Sequence, residues 1–143
     1  MVKRGQEELG KNISSLKPVE GIEAIVEALK NKGFNLGILS SNSKDNLGKF
    51  LKQNNLINFF DFIVSENNLF GKTKALNGIL KKHKITRGDT YYIGDETRDV
   101  EAAQDAGIKS IAVCWGFNTK EILLKSRPDF IVDKPENILL LKL

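Results

Sequence analysis

The sequence predicts an α/β chain: a mostly parallel, Rossmann-like sheet flanked by helices. Three observations predict it. Helix-type and strand-type segments alternate almost to the end of the 143 residues. The strand-type segments are short, continuous apolar runs, as expected of strands buried on both faces. The helices between them supply the right-handed crossovers that parallel neighbours require.

Taken in order, "GIEAIVEALKNKG" carries Ile22, Ile25, Val26 and Leu29 at helical spacing, and Gly33 follows as a C-terminal stop. "FNLGILSSNS" is a buried strand running into small polar residues. "KDNLGKFLKQNN" is an amphipathic helix with Leu47, Phe50 and Leu51 on one face, and Ser43 before it is its candidate N-cap. "FDFIVS" is a strand, and "KTKALNGILKKH" is a helix resting on Leu76, Ile79 and Leu80. "TYYIGD" is a strand, and "TRDVEAAQDAG" is a helix stopped by Gly107. "KSIAVCWG" is a strand, and "TKEILLKS" is a short helix with Thr119 as its candidate cap. "DFIVD" is the last strand, and "PENILLLKL" is a last helix with Pro135 in its first turn. Residues 18–143 form the α/β core, and residues 1–17 stand before it as a helix or linker.

Composition narrows the function. At 41% hydrophobic and 28% charged, the chain is ordinary globular material, sized for one domain with a real core. No apolar run approaches the ~18 residues of a membrane span. The opening "MVKRGQEELGKN" lacks the apolar centre of a signal peptide. A single cysteine, Cys114, excludes an internal disulfide framework and fits a reducing, cytoplasmic setting. The net charge of +4 comes from lysines dispersed over helix-like segments. Without clustering or interleaved aromatics this reads as a solvated surface, not a nucleic-acid site.

In parallel α/β sheets, ligands bind beyond the carboxyl ends of the strands. The first strand delivers Ser40, Ser41 and Asn42 there; the third delivers Asp95, with Asp99 just beyond; the fourth delivers Trp115, Gly116 and Asn118. The loop "NNLFGKTK" adds Lys72 and Lys74. Hydroxyl, amide, ammonium and paired carboxylates on one edge suit a phosphate and a hard cation such as magnesium.

Plainer readings stand beside this one. Asp95 opens a turn, and Asp99 complements a helix dipole. Ser40 and Ser43 compete with Ser41, and Lys74 competes with Lys72. Trp115 is a rim or core aromatic, Cys114 a small buried hydrophobe, and His83 a surface residue. "RGD" at 87–89 is a turn before a strand. Asp61 and Asp129 precede strands at the opposite edge, which disqualifies them as nucleophiles.

These residues, in this order, resemble the haloacid dehalogenase (HAD) superfamily, in its phosphoglycolate-phosphatase-like branch. "ILSSNS" resembles the second motif, which implies a phosphate-binding hydroxyl at Ser41 with Asn42 beside it. "FGKTKA" resembles the third, implying Lys72 as the motif lysine. "GDETRD" resembles the fourth, implying Asp95 and Asp99 as the acidic pair on Mg2+. The resemblance runs from about Leu16 to near Leu143, and its weight lies in the order and spacing of three motifs.

One departure is large. The family opens with a strand ending in Asp-x-Asp-Gly-Thr, whose first aspartate accepts the phosphoryl group and whose second is the general acid/base. No Asp-x-Asp occurs anywhere in this sequence. Residues 1–17 resemble the last helix of the cap that normally follows that strand. The implied fold is thus a HAD-like core with its first central strand missing, and two strand edges that must either pair directly or be filled.

The expected function is the core of a magnesium-dependent phosphomonoester hydrolase acting on a small phosphorylated metabolite, with Ser41 and Lys72 acting in catalysis. The isolated chain is expected to bind magnesium weakly and to turn over feebly or not at all. A homodimer or a complementing N-terminal fragment would supply what is absent. The alternative is a non-catalytic HAD module, acting as a binding domain or as one part of a split enzyme. A receiver-like signalling domain is disfavoured, because the first strand ends in serines where such domains carry acids.

Overall fold

Strand and helix alternate through residues 18–68 and 71–143, the residues that the computed structural model describes. The helix or linker expected in residues 1–17 lies outside them. The described chain divides into two compact units, residues 18–67 with 135–143 and residues 68–134. All strand pairings are parallel, as the buried apolar runs predicted.

The first unit opens with α1 (Ile22–Asn31), which buries the predicted face of Ile22, Ile25, Val26 and Leu29. The helix closes as a Schellman motif: Gly33 N–H donates to the Lys30 carbonyl and Phe34 N–H to that of Leu29. Then come β1 (Gly37–Ser40), α2 (Lys44–Gln53) and β2 (Phe62–Ser65). β1 and β2 pair with Ile38 opposite Ile63 and Ser40 opposite Ser65. Ser43 caps α2 as predicted, its Oγ accepting from Asn46 N–H at 3.1 Å. The core beneath is Ile38, Leu47, Phe50, Leu51 and Leu56.

Asp61 ties the start of β2 to the start of β1. Its Oδ2 accepts the Leu36 N–H at 2.9 Å, its own N–H donates to the Leu36 carbonyl at 2.7 Å, and its carboxylate pairs with Lys30. The Lys30 ammonium, then the Leu36 N–H, hold its carboxyl below the usual range.

The final segment is the expected last helix, in a tighter form. Residues Pro135–Leu140 form a 3-10 helix, not an α-helix. A 3-10 helix is the tighter form and occurs in short pieces. Pro135 and Ile138 are buried, and the segment packs against α1.

The second unit contains α3 (Lys72–Lys82), β3 (Tyr91–Gly94), α4 (Thr97–Ala106), β4 (Lys109–Val113), α5 (Lys120–Lys125) and β5 (Phe130–Val132). Its sheet has the order β3-β4-β5, with Tyr92 opposite Ser110 and Gly94 opposite Ala112. Val100, Ala112 and Leu123 form a core cluster against Cys114 and Ile131. Thr119 caps α5 as predicted, accepting from Ile122 N–H at 3.3 Å. The Arg-Gly-Asp triplet is one exposed 3-10 turn before β3. Asp129 repeats the device of Asp61: its Oδ2 accepts the Ser110 N–H at 2.8 Å, fixing β5 beside β4.

The parallel sheet is therefore present in two pieces. One piece is β1 beside β2, and the other is β4 between β3 and β5. No described helix is long and apolar enough to cross a membrane.

Candidate active site

β3 alternates in exposure, and the alternation sets up the site. Residues two apart on a strand share a face, so Tyr92 and Gly94 are both buried while Tyr91 and Ile93 are partly exposed. After Gly94 the chain turns at Asp95 and Glu96 and enters α4. Asp99 then stands at the third helical position, back over the end of the strand.

That return explains Gly94. A Cβ built on it would lie 2.4 Å from the Asp99 Cβ and 2.3 Å from its Oδ2. No other residue lets the carboxylate come so close. Oδ2 of Asp99 accepts the Glu96 N–H at 3.1 Å, one half of a capping box whose other half is the Glu96 side chain accepting from the Asp99 N–H. The plainer reading of Asp99, an acid serving a helix N-terminus, is thus correct as far as it goes.

Oδ1 of the same carboxylate does something else. It accepts from the Lys72 ammonium and, at 3.3 Å, from the Tyr92 hydroxyl. Lys72 is the first residue of α3 and is only 6% exposed, while Asp99 is 1% exposed. Burying an ammonium is tolerable only with a close counter-charge, and Asp99 supplies it. Lys74 is exposed, so of the two rival lysines only Lys72 points inward. Burial, with the negative charge of Asp99 second, pushes the Tyr92 phenol well above its ordinary value and keeps it a neutral donor.

Asp95 is 2% exposed and is held from the β4–α5 loop. Its Oδ2 accepts the Phe117 N–H at 2.8 Å, and its main-chain carbonyl accepts the Asn118 N–H at 3.1 Å. The Asn118 side chain then accepts the Thr97 N–H at 3.0 Å. Gly116 makes room, since a Cβ there would lie 2.2 Å from Asp95 Cβ and Oδ2. Phe117 itself is 78% exposed.

The donor set fits a hard cation of modest demand. A buried carboxylate is pressed into a cradle that only a glycine leaves open, next to a second carboxylate that already carries an ammonium. Magnesium uses one or two carboxylates and keeps several waters, so it does not need a protein cage. Among the described residues no group of three or more His, Cys, Asp or Glu forms such a cage.

Ser41 and Asn42 belong to the first unit. Ser40 Oγ accepts the Asn42 N–H at 3.1 Å, and Asn42 Oδ1 accepts the Ser43 N–H at 2.8 Å and the Asn46 side-chain N–H at 3.2 Å. The Ser65 hydroxyl donates to the Asn42 carbonyl at 2.6 Å. Ser40 and Ser43, the competitors of Ser41, are thus engaged in the turn and in the helix cap. Ser41 is half-buried between them, where β1 gives way to the N-terminus of α2. That is the polarity a phosphate oxygen requires.

The remaining residues singled out in the sequence fall elsewhere. His83 is exposed at the end of α3. Trp115 is half-buried on the β4–α5 loop. Cys114 is partly exposed, not fully buried, and burial together with Asp133 raises its thiol above the ordinary value, away from the reactive thiolate. Two participants escaped sequence reasoning: Tyr92, and Phe117 acting through its main chain. For Tyr92 a signal existed, because a tyrosine on the buried face of a strand needs a partner for its hydroxyl.

The family model for haloacid dehalogenase-like hydrolases matches residues 1–113. A phosphoglycolate phosphatase of Synechococcus elongatus is 33% identical over 139 residues, which are 97% of this chain and 66% of that protein. A phosphoglycolate phosphatase of Aquifex aeolicus is 32% identical over 126 residues, covering 85% of this chain and 57% of that one. Among solved structures, a predicted phosphatase from Clostridium acetobutylicum superposes with a TM-score of 0.79 at 30% identity, over 87% of this chain and 61% of that one. The chain thus spans less than two thirds of the relatives it matches.

Proposed function

Because the chain belongs to the haloacid dehalogenase-like hydrolases, we propose that it carries the phosphate- and cation-handling part of a magnesium-dependent phosphomonoester hydrolase. Its substrate is a small phosphorylated metabolite. The observation that supports this most is the buried Lys72 ammonium, held by Asp99 and Tyr92 beside Asp95 at the carboxyl end of β3.

Each group has a role. Lys72 offsets negative charge on the phosphoryl oxygens, and Asp99 keeps the ammonium charged and aimed. Asp95 is the principal carboxylate for Mg2+, with Asp99 contributing charge from the next turn. Bound magnesium would further neutralise the transferring group. In the first unit, the Ser41 hydroxyl and the N–H groups opening α2 bind phosphate oxygens, with Asn42 shaping that turn. The phosphoryl acceptor of the family reaction is an aspartate, and no Asp-x-Asp motif stands in these 143 residues. A complementing N-terminal segment, from a second polypeptide or another part of a longer protein, supplies it. The lack of that motif equally favours a second reading, a binding module that holds phosphate without turning it over.

An aryl phosphate assay decides between them. The purified chain is tested with and without magnesium, alone and with a peptide bearing an Asp-x-Asp-Gly-Thr strand, with Asp95→Asn as control. Magnesium-dependent turnover that needs the peptide and disappears in the variant supports the hydrolase. Phosphate binding that remains inert with the peptide supports the binding module. Failure to bind either phosphate or magnesium defeats both.

A further inference from the structure

Three consecutive residues of the β4–α5 loop converge on Asp95. Gly116 leaves space for its side chain, Phe117 N–H fixes its carboxylate, and Asn118 N–H fixes its carbonyl. Any residue at 118 except proline could make the last bond. The Asn118 side chain does more, because its Oδ1 accepts the N–H of Thr97, the first residue of α4. One residue therefore grips both ends of the Asp95–Glu96–Thr97 turn, its main chain at the start and its amide at the finish.

We propose that Asn118 is a positioning residue for Asp95, holding the carboxylate in the orientation that receives the cation. The inference rests on the assignment of Asp95 to magnesium made above. The β3–β4 ladder holds Gly94 opposite Ala112 just before Asp95, and the capping box ties Glu96 to Asp99 one step further into the helix. Without the Asn118 amide, the Thr97 N–H loses its acceptor and the turn is held at one end. Outer-shell partners that orient a metal ligand affect affinity strongly, and about a tenfold loss is expected.

The test uses Trp115, the only tryptophan, which immediately precedes Gly116 and so reports on this loop. Its fluorescence is titrated with magnesium and with manganese in the wild type, Asn118→Leu, Asn118→Asp and Asp95→Asn. Asn118→Leu removes the acceptor at similar volume; Asn118→Asp restores an acceptor to Thr97. Asn118→Ala takes the place of Asn118→Leu if thermal unfolding shows that variant to be misfolded. The expected result is about tenfold weaker cation binding in the acceptor-less variant and recovery in Asn118→Asp. Wild-type affinity in the acceptor-less variant, with binding abolished by Asp95→Asn, overturns this inference alone. A loss that Asn118→Asp fails to recover also overturns it, since the acceptor is then not what matters. Unchanged binding in Asp95→Asn removes the cation assignment, and the role of Asn118 falls with it.

Discussion

The Lys72 ammonium and the Asp99 carboxylate form an ion pair in which neither side chain is more than 7% exposed. Such pairs respond asymmetrically to mutation: removing one partner strands the other charge away from water, at a cost of about 3–5 kcal/mol. Replacing both with apolar groups is far milder. Lys72→Met and Asp99→Leu should therefore each destabilise strongly, and the double variant should cost much less than their sum. Urea unfolding of the four proteins measures the coupling. Additive effects would show that the two charges do not depend on each other.

The neighbouring lysine supplies the control. Lys74 is exposed on the same helix, so Lys74→Ala should change stability by less than about 0.5 kcal/mol. Phosphate affinity should likewise survive Lys74→Ala and fall in Lys72→Ala, measured by calorimetric titration with inorganic phosphate. The reverse ranking would move the motif lysine by two residues.

What separates these two lysines also marks what a sequence can and cannot say. Residues two apart on a helix face different ways, but which of them turns inward depends on what α3 packs against. The same limit hid the partner of Tyr92. Strand alternation places Tyr92 and Gly94 on one face, yet only the return of α4 brings Asp99 to them. Local rules fared better. Ser43, Thr119 and Gly33 take the capping positions their residue types favour, because a cap is settled within a few residues. For the last segment the residue types signal a helix, and Pro135–Leu140 take the tighter 3-10 form of it.

Tyr92 makes the alkaline limb of stability a test of the site. Its phenol is pushed well above the ordinary value, first by burial and then by Asp99. The folded state therefore keeps a proton that the unfolded chain releases near pH ~10. Stability from this group is complete below that value and is lost as pH rises towards the folded one. The slope is at most one proton, about 1.4 kcal/mol per pH unit. Tyr92→Phe should lose about 1 kcal/mol at neutral pH with the hydroxyl, and then decline less steeply between pH 10 and 12. Parallel slopes in denaturant titrations across that range would mean the phenol is not shielded as described.

Asp61 makes the opposite prediction at acid pH, in the other unit. The Lys30 ammonium, then the Leu36 N–H, hold its carboxyl below the usual range. Its contribution is therefore present above the unfolded value, near pH ~4, and is lost as pH falls through the lower folded one. The side chain is 44% exposed and its lysine 31%, so screening by water and salt keeps the ion pair below about 1 kcal/mol. Asp61→Asn retains an acceptor for the Leu36 N–H and gives up only the charge. Asp61→Ala gives up both, and the start of β1 loses its tie to the start of β2. At neutral pH the asparagine variant should lose a few tenths of a kcal/mol and the alanine variant about 1 kcal/mol more. As the pH falls through the lowered folded value, the asparagine variant should converge on the wild type, because the native carboxyl is then protonated too. An asparagine deficit that persists unchanged into acid would show that Asp61 acts through its shape and not through its charge.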